Sequence, residues 1–128
     1  MSTKIKSAIV LFAHGSRDEA WALPFREIQR RLKSKQPTQT AVELAFLEIM
    51  KPSLEQAVTE LVEAGHKRIT VAPVFMAQGA HLKRDLSQII DAVRAEHRSI
   101  KIELLPAIGD VDSVLEAISD WLVVATTH

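Results

Sequence analysis

The chain has 128 residues, a mass of 14.2 kDa, and sixteen Lys and Arg that balance sixteen Asp and Glu. This length predicts one domain over residues 1–128, and a formal net charge of zero argues against the broad basic surface that nucleic-acid binding requires. The absence of cysteine excludes disulfides, thiolate metal sites and cysteine nucleophiles, so any metal must be held by histidine or carboxylate.

Targeting and membrane signals are absent from the sequence. No segment approaches the roughly 20 uninterrupted apolar residues of a membrane span. The apolar run at residues 8–13 is too short for the core of a signal peptide. We therefore expect a cytoplasmic protein without a membrane partner.

Four aliphatic runs, each short enough to be a strand, alternate with stretches in which apolar residues recur at helical spacing. The runs are residues 5–12, 41–47, 68–75 and 100–105. The helical stripes are Trp21-Phe25-Ile28-Leu32, Leu54-Val58-Leu61-Val62, Leu82-Leu86-Ile89-Ile90-Val93 and Val114-Leu115-Ile118-Leu122.

Proline and glycine mark the helix ends. Pro52 suits the first turn of the second helix, and Gly65 suits its C-terminal cap. Pro24 is unfavourable inside the first helix, because it lacks the N–H that a helix interior needs. That helix either begins near Pro24 or is distorted in its first turn.

The order strand, helix, repeated four times, predicts an α/β fold with a four-stranded, mainly parallel sheet. Right-handed crossovers leave few arrangements, and we expect a flavodoxin-like strand order of 2-1-3-4 with helices on both faces. In such sheets ligands bind beyond the carboxyl ends of the strands.

Two of the five histidines, His14 and His81, fall in loops at that edge. Each has a glycine nearby that lets the backbone approach a ligand, and imidazole binds Fe, Co, Ni and Zn. The remaining histidines, His66, His97 and His128, lack this context, and we expect packing or solvent roles for them.

Glu48 follows the second predicted strand and should reach the same edge, whereas Glu43 should point to the opposite side. A carboxylate there could bind metal or accept a proton. It could equally be a solvated charge that favours the N-terminus of the next helix.

Two cations, Lys83 and Arg84, lie where the third helix should begin. Cations oppose the helix dipole there, which would be explained if an anionic ligand were bound. Arg17 could act in the same way, and a solvent-facing pair of charges is the alternative for Lys83 and Arg84.

The chain resembles the short form of the sirohydrochlorin chelatases, the CbiX-type enzymes of the cobaltochelatase and ferrochelatase group. Four blocks carry the resemblance in the family's order and spacing. They are Ala13-His14-Gly15-Ser16-Arg17-Asp18, Glu43-Leu44-Ala45-Phe46-Leu47-Glu48, Pro52-Ser53-Leu54, and residues 73–85, PVFMAQGAHLKRD. Met76 and Gln78 occupy positions that vary within the family.

The resemblance implies insertion of a divalent metal, Co²⁺ first and Fe²⁺ or Ni²⁺ as alternatives, into sirohydrochlorin for cobalamin or sirohaem synthesis. It implies that His14 and His81 hold the metal and that His14 also accepts pyrrole protons, with Glu48 as a further catalytic and substrate contact. The remaining substrate contacts expected are Ser16, Arg17, Met76, Ala77, Gln78, Gly79, Ala80, His81, Lys83 and Arg84. The metal would be a substrate, without a tightly bound cofactor. Because longer members carry two such domains around one cleft, the resemblance also implies a homodimer, in which this chain is one chelatase-type half.

A site of two imidazoles has fewer ligands than a structural zinc site, which would keep the metal exchangeable. Both metal binding and proton acceptance need neutral imidazole, so activity should fall as the pH drops through the range in which histidine becomes protonated. No phosphate-binding loop of the Gly-x-x-x-x-Gly-Lys type is present, consistent with a reaction that needs no nucleotide.

Three other protein classes share features with this sequence. A histidine phosphatase would resemble Arg-His-Gly after the first strand, but Ala13 precedes His14 here. A receiver domain would need acidic residues after the first and third strands, where this chain has histidines. A non-enzymatic metal carrier or tetrapyrrole-binding protein of the same fold needs the same pocket, and the sequence does not separate it from the enzyme.

Overall fold

Strands and helices alternate throughout residues 6–128, the part of the chain that the computed structural model describes. The strands are β1 (Ser7–Ala13), β2 (Ala41–Phe46), β3 (Arg68–Pro73) and β4 (Lys101–Leu104). The helices are α1 (Leu23–Ser34), α2 (Leu54–Glu63), α3 (Ala80–Glu96) and α4 (Asp112–Ala125), and short 3₁₀ turns at Glu19–Ala22 and Ile108–Asp110 precede α1 and α4. The predicted α/β architecture is confirmed.

All strand pairs are parallel, and the strand order is β2-β1-β3-β4, as predicted. In β1, Val10 pairs with Glu43 on one side and with Val71 on the other. The third strand ends at Pro73 instead of Phe75, although the chain stays buried through Phe75. The predicted start of the first strand, at Ile5, lies outside the described residues.

Apolar side chains cover both faces of the sheet, because each strand presents alternate residues to opposite sides. Helices α2 and α3 pack on one face around Val10 and Val71. Helix α1 packs on the other face over β1 and β2, around Leu11 and Leu44. Helices therefore lie on both faces, as expected.

The second helix begins two residues later than the sequence suggested. Pro52 lies before the helix, so its placement in the first helical turn was wrong. The N-cap is Ser53, whose hydroxyl oxygen accepts a hydrogen bond from the Gln56 backbone N–H, while the Gln56 side chain accepts one from the Ser53 N–H. This reciprocal capping box satisfies two N–H groups that would otherwise lack partners.

The other helix ends follow their local signals. Helix α1 begins at Leu23, which puts Pro24 in its first turn, where a missing N–H costs nothing. Gly65 adopts a φ of 94° directly after the C-cap Ala64, and the Gly65 and His66 N–H groups donate to the carbonyls of Val62 and Leu61. This Schellman motif closes α2.

His66 has the packing role that was expected. Its side chain is buried and its Nδ1–H donates to the Leu61 carbonyl at 3.0 Å. His97 is the C-cap residue of α3, also as expected at that helix end.

The helices are amphipathic and short, and α3, with 17 residues, is the longest that the structure describes. None of the helices between residues 6 and 128 combines the length and the apolar character needed to span a membrane.

The capping box yields the first prediction. Replacing Ser53 with Ala removes the acceptor for the Gln56 N–H and should lower the free energy of unfolding by about 1 kcal/mol. Urea denaturation measures this value. Ser87→Ala, at an exposed position inside α3, is the matched control and should change it by less than about 0.5 kcal/mol. Equal effects of the two substitutions would contradict the capping role.

Candidate metal-handling site at the carboxyl edge of the sheet

The loops that follow β1 and β2 are joined by backbone hydrogen bonds that continue the strand pairing. The Leu47 N–H donates to the Ala13 carbonyl at 2.8 Å, and the Glu48 N–H donates to the His14 carbonyl at 3.1 Å. His14 and Glu48 are thereby held side by side just beyond the sheet, at the edge where the sequence predicted a site.

Gly15 makes this close approach possible. It has a φ of 104°, and a Cβ built on it would lie 1.9 Å from the Glu48 carbonyl oxygen. Any side chain would therefore collide with the backbone of the second loop, and the left-handed conformation would add strain. The glycine after His14 is needed for backbone contact between the two loops.

The His14 and Glu48 side chains meet at 2.9 Å, between Nε2 and Oε1. About half of each side chain is exposed, at 50% and 56%. An ionised carboxylate can only accept, so Nε2 carries the hydrogen, and in the neutral ring Nδ1 keeps its lone pair. The arrangement has the form of a carboxylate-oriented imidazole, as found around protein-bound metals.

Phe75 supports the imidazole from the side. The Phe75 ring packs edge-to-face with His14, with centroids 6.5 Å apart and planes at 73°, and with Phe12 at 6.0 Å. A buried aromatic ring against His14 restricts its rotamers. In the sequence Phe75 is only the last residue of a predicted strand, and no local signal distinguishes it from the other core aromatic residues.

The chain turns sharply after Glu48. Ile49 has a φ of 70°, and the Met50 N–H donates to the Glu48 carbonyl at 2.7 Å across it. This is the geometry of a γ-turn, and a β-branched residue in it is strained by roughly 1–3 kcal/mol. The turn leaves Ile49 59% exposed beside Glu48.

A cavity of about 420 Å³ lies between the same two loops, lined by Ser16, Arg17, Glu19, Ile49, Met50 and Lys51. Ser16 also accepts the Asp18 N–H, and Asp18 caps the following 3₁₀ turn by accepting the Ala20 N–H. Ser16 and Arg17 were predicted from the sequence, but Lys51 was not. Only the fold shows that Lys51 shares a cavity with Arg17, since it lies more than 30 positions later in the chain.

The segment from Met76 to His81 leads from the end of β3 into the first turn of α3 along the same edge. At Met76 the backbone of this segment lies directly against Gly109. A Cβ built on Gly109 would lie 1.5 Å from the Met76 carbonyl oxygen, and the Gly109 N–H donates to the Phe75 carbonyl. Met76, Ala77, Gly79, Ala80 and His81 are exposed, and Gln78 is half-buried.

His81 is the second residue of α3 and forms no side-chain hydrogen bond with any residue between 6 and 128. Within that range, no three His, Asp or Glu side chains lie close enough together to hold a metal ion. The structure thus brings His14 to Glu48 and does not place His81 with both in a three-ligand set. Shared metal binding by His14 and His81 stays a prediction.

The two cations of α3, Lys83 and Arg84, lie in different surroundings. Lys83 lines a second cavity, of about 240 Å³, between α3 and the segment after β4, together with Gln78 and Asp110. Arg84 is exposed on the first turns of α3. Neither Lys83 nor Arg84 forms an ion pair within the described part of the chain.

Gly15 offers a direct test of the loop contact. Gly15→Ala should destabilise the fold by more than about 1 kcal/mol, because the new Cβ collides with the Glu48 carbonyl and the left-handed conformation becomes strained. Gly79→Ala is the matched control, since a Cβ there meets nothing within 4 Å. Because Gly79 is the N-cap of α3, where alanine is less favourable than glycine, the free energy of unfolding should fall by about 0.5 kcal/mol. Urea denaturation of both variants measures the difference, and equal stabilities would rule out a steric requirement at Gly15.

The chain is similar to proteins of known family. The sequence profile of the CbiX family matches residues 8–123. The chain is 36% identical over 94 residues to a sirohydrochlorin cobaltochelatase of Methanocaldococcus jannaschii, covering 70% of this chain and 62% of that protein. It therefore spans less than two thirds of the length of this relative.

Two crystal structures share the fold. A CbiX protein from Marinobacter aquaeolei aligns with a TM-score of 0.78 and 32% identity, over 91% of this chain and 94% of that one. The sirohydrochlorin chelatase SirB from Bacillus subtilis, in complex with cobalt, also aligns with a TM-score of 0.78, at 26% identity, over 93% of this chain and 50% of that one. With a profile match over nearly all described residues and this shared architecture, the chain belongs to the CbiX family.

Proposed function

We propose that this protein is a metallochelatase that inserts a divalent metal, Co²⁺ first and Fe²⁺ or Ni²⁺ as alternatives, into sirohydrochlorin. The observation that carries the proposal is the half-exposed pair of His14 and Glu48 at the carboxyl edge of a CbiX-family sheet. The cobaltochelatase and the cobalt complex of SirB among the similar proteins support the choice of substrate and metal.

Metal insertion requires the macrocycle to lose its inner N–H protons while the ion sheds part of its water. In the proposed reaction His14 takes up a pyrrole proton at Nδ1, the nitrogen that is not hydrogen-bonded to Glu48. The carboxylate then stabilises the positive charge that the ring acquires. The proton passes to water, to which the half-exposed ring has direct access.

The small donor set suits transfer of a metal better than storage of one. A structural zinc site has four protein ligands around its ion, whereas only two imidazoles, those of His14 and His81, are proposed to hold the metal here. An ion held by so few protein ligands keeps its water molecules and can move to the four pyrrole nitrogens. His81, on the adjacent segment, is proposed as the further metal ligand.

The substrate is a polycarboxylate, and the cations at this edge provide its proposed contacts. Arg17 and Lys51 line the cavity beside Glu48, and Lys83 and Arg84 begin α3. Arginine can bind a carboxylate through two parallel hydrogen bonds, while lysine acts as a point charge. Ser16 and the segment from Met76 to His81 complete the proposed surface for the macrocycle.

We also propose that the protein acts as a homodimer. This chain matches half of SirB, and the Marinobacter protein of similar length shares its fold. A single sheet edge offers one wall for a flat macrocycle, and a second copy would supply the opposing wall. Location in the cytoplasm remains a prediction from the sequence.

The proposal is tested by following the visible absorption of sirohydrochlorin with Co²⁺ or Fe²⁺, with and without the protein. The intact protein should accelerate metallation, and the His14→Ala/His81→Ala variant should lose roughly 100-fold or more of that acceleration, in line with the contribution of a positioned proton acceptor. His128→Ala, at an exposed position of the chain end, is the control and should retain the full rate.

Equal rates with and without folded protein, for every metal, would reject the enzyme. If sirohydrochlorin or metal still bound, as measured by equilibrium titration, a carrier or tetrapyrrole-binding protein of the same fold would replace it as the better interpretation.

The role of Glu48 has its own test. Glu48→Gln keeps an oxygen that can accept from His14 Nε2 but removes the negative charge, and should lower the metallation rate roughly 10- to 100-fold. Glu43→Gln is the matched control on β2, the strand that precedes Glu48, because Glu43 lines a separate cavity beside α2 and His66. If Glu48→Gln left the metallation rate unchanged, Glu48 would be only a solvated charge at the end of the strand.

A further inference from the structure

Ile49 combines a left-handed backbone with an exposed apolar side chain. Its φ is 70°, in the γ-turn that follows Glu48, and the residue is 59% exposed. Glycine or asparagine adopts a positive φ with less strain than a β-branched residue, and a polar residue suits solvent better than isoleucine. The stability of the fold therefore does not account for isoleucine at this position.

Packing within the chain does not offset this strain. Ile49 belongs to neither apolar cluster of the described residues, whereas its neighbour Met50 packs against the cluster on the α1 side of the sheet. Backbone strain of this kind is concentrated at active sites and ligand-binding sites, where it forms part of the mechanism. These observations indicate that Ile49 contacts a ligand.

The surroundings of Ile49 define the chemistry of that ligand. Ile49 directly follows Glu48, whose carboxylate lies 2.9 Å from His14 Nε2. It also lines the same cavity as Arg17 and Lys51. An apolar side chain packs against an apolar ring, and the two cations bind carboxylates. A flat ring with carboxylates at its periphery satisfies both, and this is the chemical class of the tetrapyrrole in the proposed function.

Exposed apolar side chains are concentrated at the carboxyl edge of the sheet. Outside α4, the exposed large apolar residues in the described part of the chain are Leu23, Ile28, Ile49, Met76 and Leu105. All of these except Ile28 lie in, or next to, the segments that follow the strands. Single exposed apolar residues are normal on a protein surface, whereas several at one edge are typical of a binding surface.

Ile49 and Met76 flank His14. The strand order β2-β1-β3 places the segments after β2 and β3 on either side of the segment after β1. Met76 is 54% exposed, and its backbone lies against Gly109. A flat ring that rests on both apolar side chains would therefore lie across the imidazole between them.

We propose that Ile49 is a substrate-positioning residue of the metallation reaction. Its side chain contacts the face of the tetrapyrrole and keeps the pyrrole nitrogens within reach of His14 Nδ1, while Arg17 and Lys51 bind a carboxylate at the ring periphery. The γ-turn keeps the side chain out of the apolar clusters and exposed to the ring. The inference rests on the proposed function and assigns a further contact of the same site.

Two substitutions separate apolar contact from side-chain shape. Leucine and asparagine have the same number of side-chain heavy atoms and branch at the same carbon, but only leucine is apolar. Asparagine also tolerates a positive φ. Ile49→Leu should therefore keep the contact with the ring, and Ile49→Asn should lose it without loss of stability. Ile28→Asn, in the middle of α1, is the matched control for the change from isoleucine to asparagine.

The visible absorption of sirohydrochlorin with Co²⁺ measures the effect on the reaction. Ile49→Asn should lower kcat/KM roughly 5- to 30-fold, mainly by raising KM, because apolar surface of this size is no longer buried against the ring. Ile49→Leu and Ile28→Asn should stay within about 2-fold of the wild-type value. Equilibrium titration with metal-free sirohydrochlorin should give the same order of affinities.

A purely structural role for Ile49 predicts different results in two further measurements. The midpoint of urea denaturation of Ile49→Asn should equal or exceed that of the wild type, because the turn is less strained. The pH dependence of the metallation rate should also be unchanged, because His14 and Glu48 keep their hydrogen bond. A lower midpoint or a shifted pH profile would show that Ile49 acts on the fold or on the reactive pair, and would overturn the proposal.

Equal kcat/KM values for Ile49→Asn and Ile49→Leu would also overturn it, while acceleration by the wild-type protein would leave the chelatase in place. Failure of the proposed function gives a different result. If the wild-type protein bound sirohydrochlorin without accelerating metallation, and Ile49→Asn weakened that binding, the enzyme would be rejected and the ring contact of Ile49 would stand.

Discussion

The contact between the loop after β1 and the loop after β2 positions everything else at the candidate site. Parallel pairing brings the carboxyl ends of the two strands to one edge, and the hydrogen bonds from Leu47 and Glu48 carry that pairing past the strands. Only a residue without a Cβ fits at Gly15, where the Glu48 carbonyl lies 1.9 Å from the position a Cβ would take. His14 and Glu48 meet as a result of this backbone contact, and their side chains need little further ordering to form a hydrogen bond.

A second contact of the same kind connects the site to the far end of the chain. Gly109 lies against the Met76 carbonyl, and the Gly109 N–H donates to the carbonyl of Phe75. The ring of Phe75 in turn packs against His14. The turn that contains Gly109 also starts α4. The same few residues therefore contribute to the surroundings of the imidazole and to the direction in which α4 leaves the sheet.

The site combines a rigid base with a weakly enclosed surface. The strands below the site contribute buried residues to both apolar clusters. The free energy of this packing can offset the backbone strain of the γ-turn at Ile49. Above the sheet the His14 and Glu48 side chains remain half in water. A proton acceptor that must return its proton to solvent, and a ligand that must release its metal, are both compatible with such exposure.

The sequence by itself determined the four strands, the four helices, the strand order and the edge at which His14 and Glu48 lie, because apolar periodicity and crossover handedness are local or nearly local constraints. It misplaced Pro52, although the Ser53 and Gln56 capping pair was present in the sequence. Tertiary structure alone decided that His14 bonds to Glu48, that Phe75 supports the imidazole and that Lys51 joins Arg17, since each pairs residues distant in the chain. It also decided the position of α4, because an apolar stripe indicates that a helix is to be covered and does not indicate by which surface.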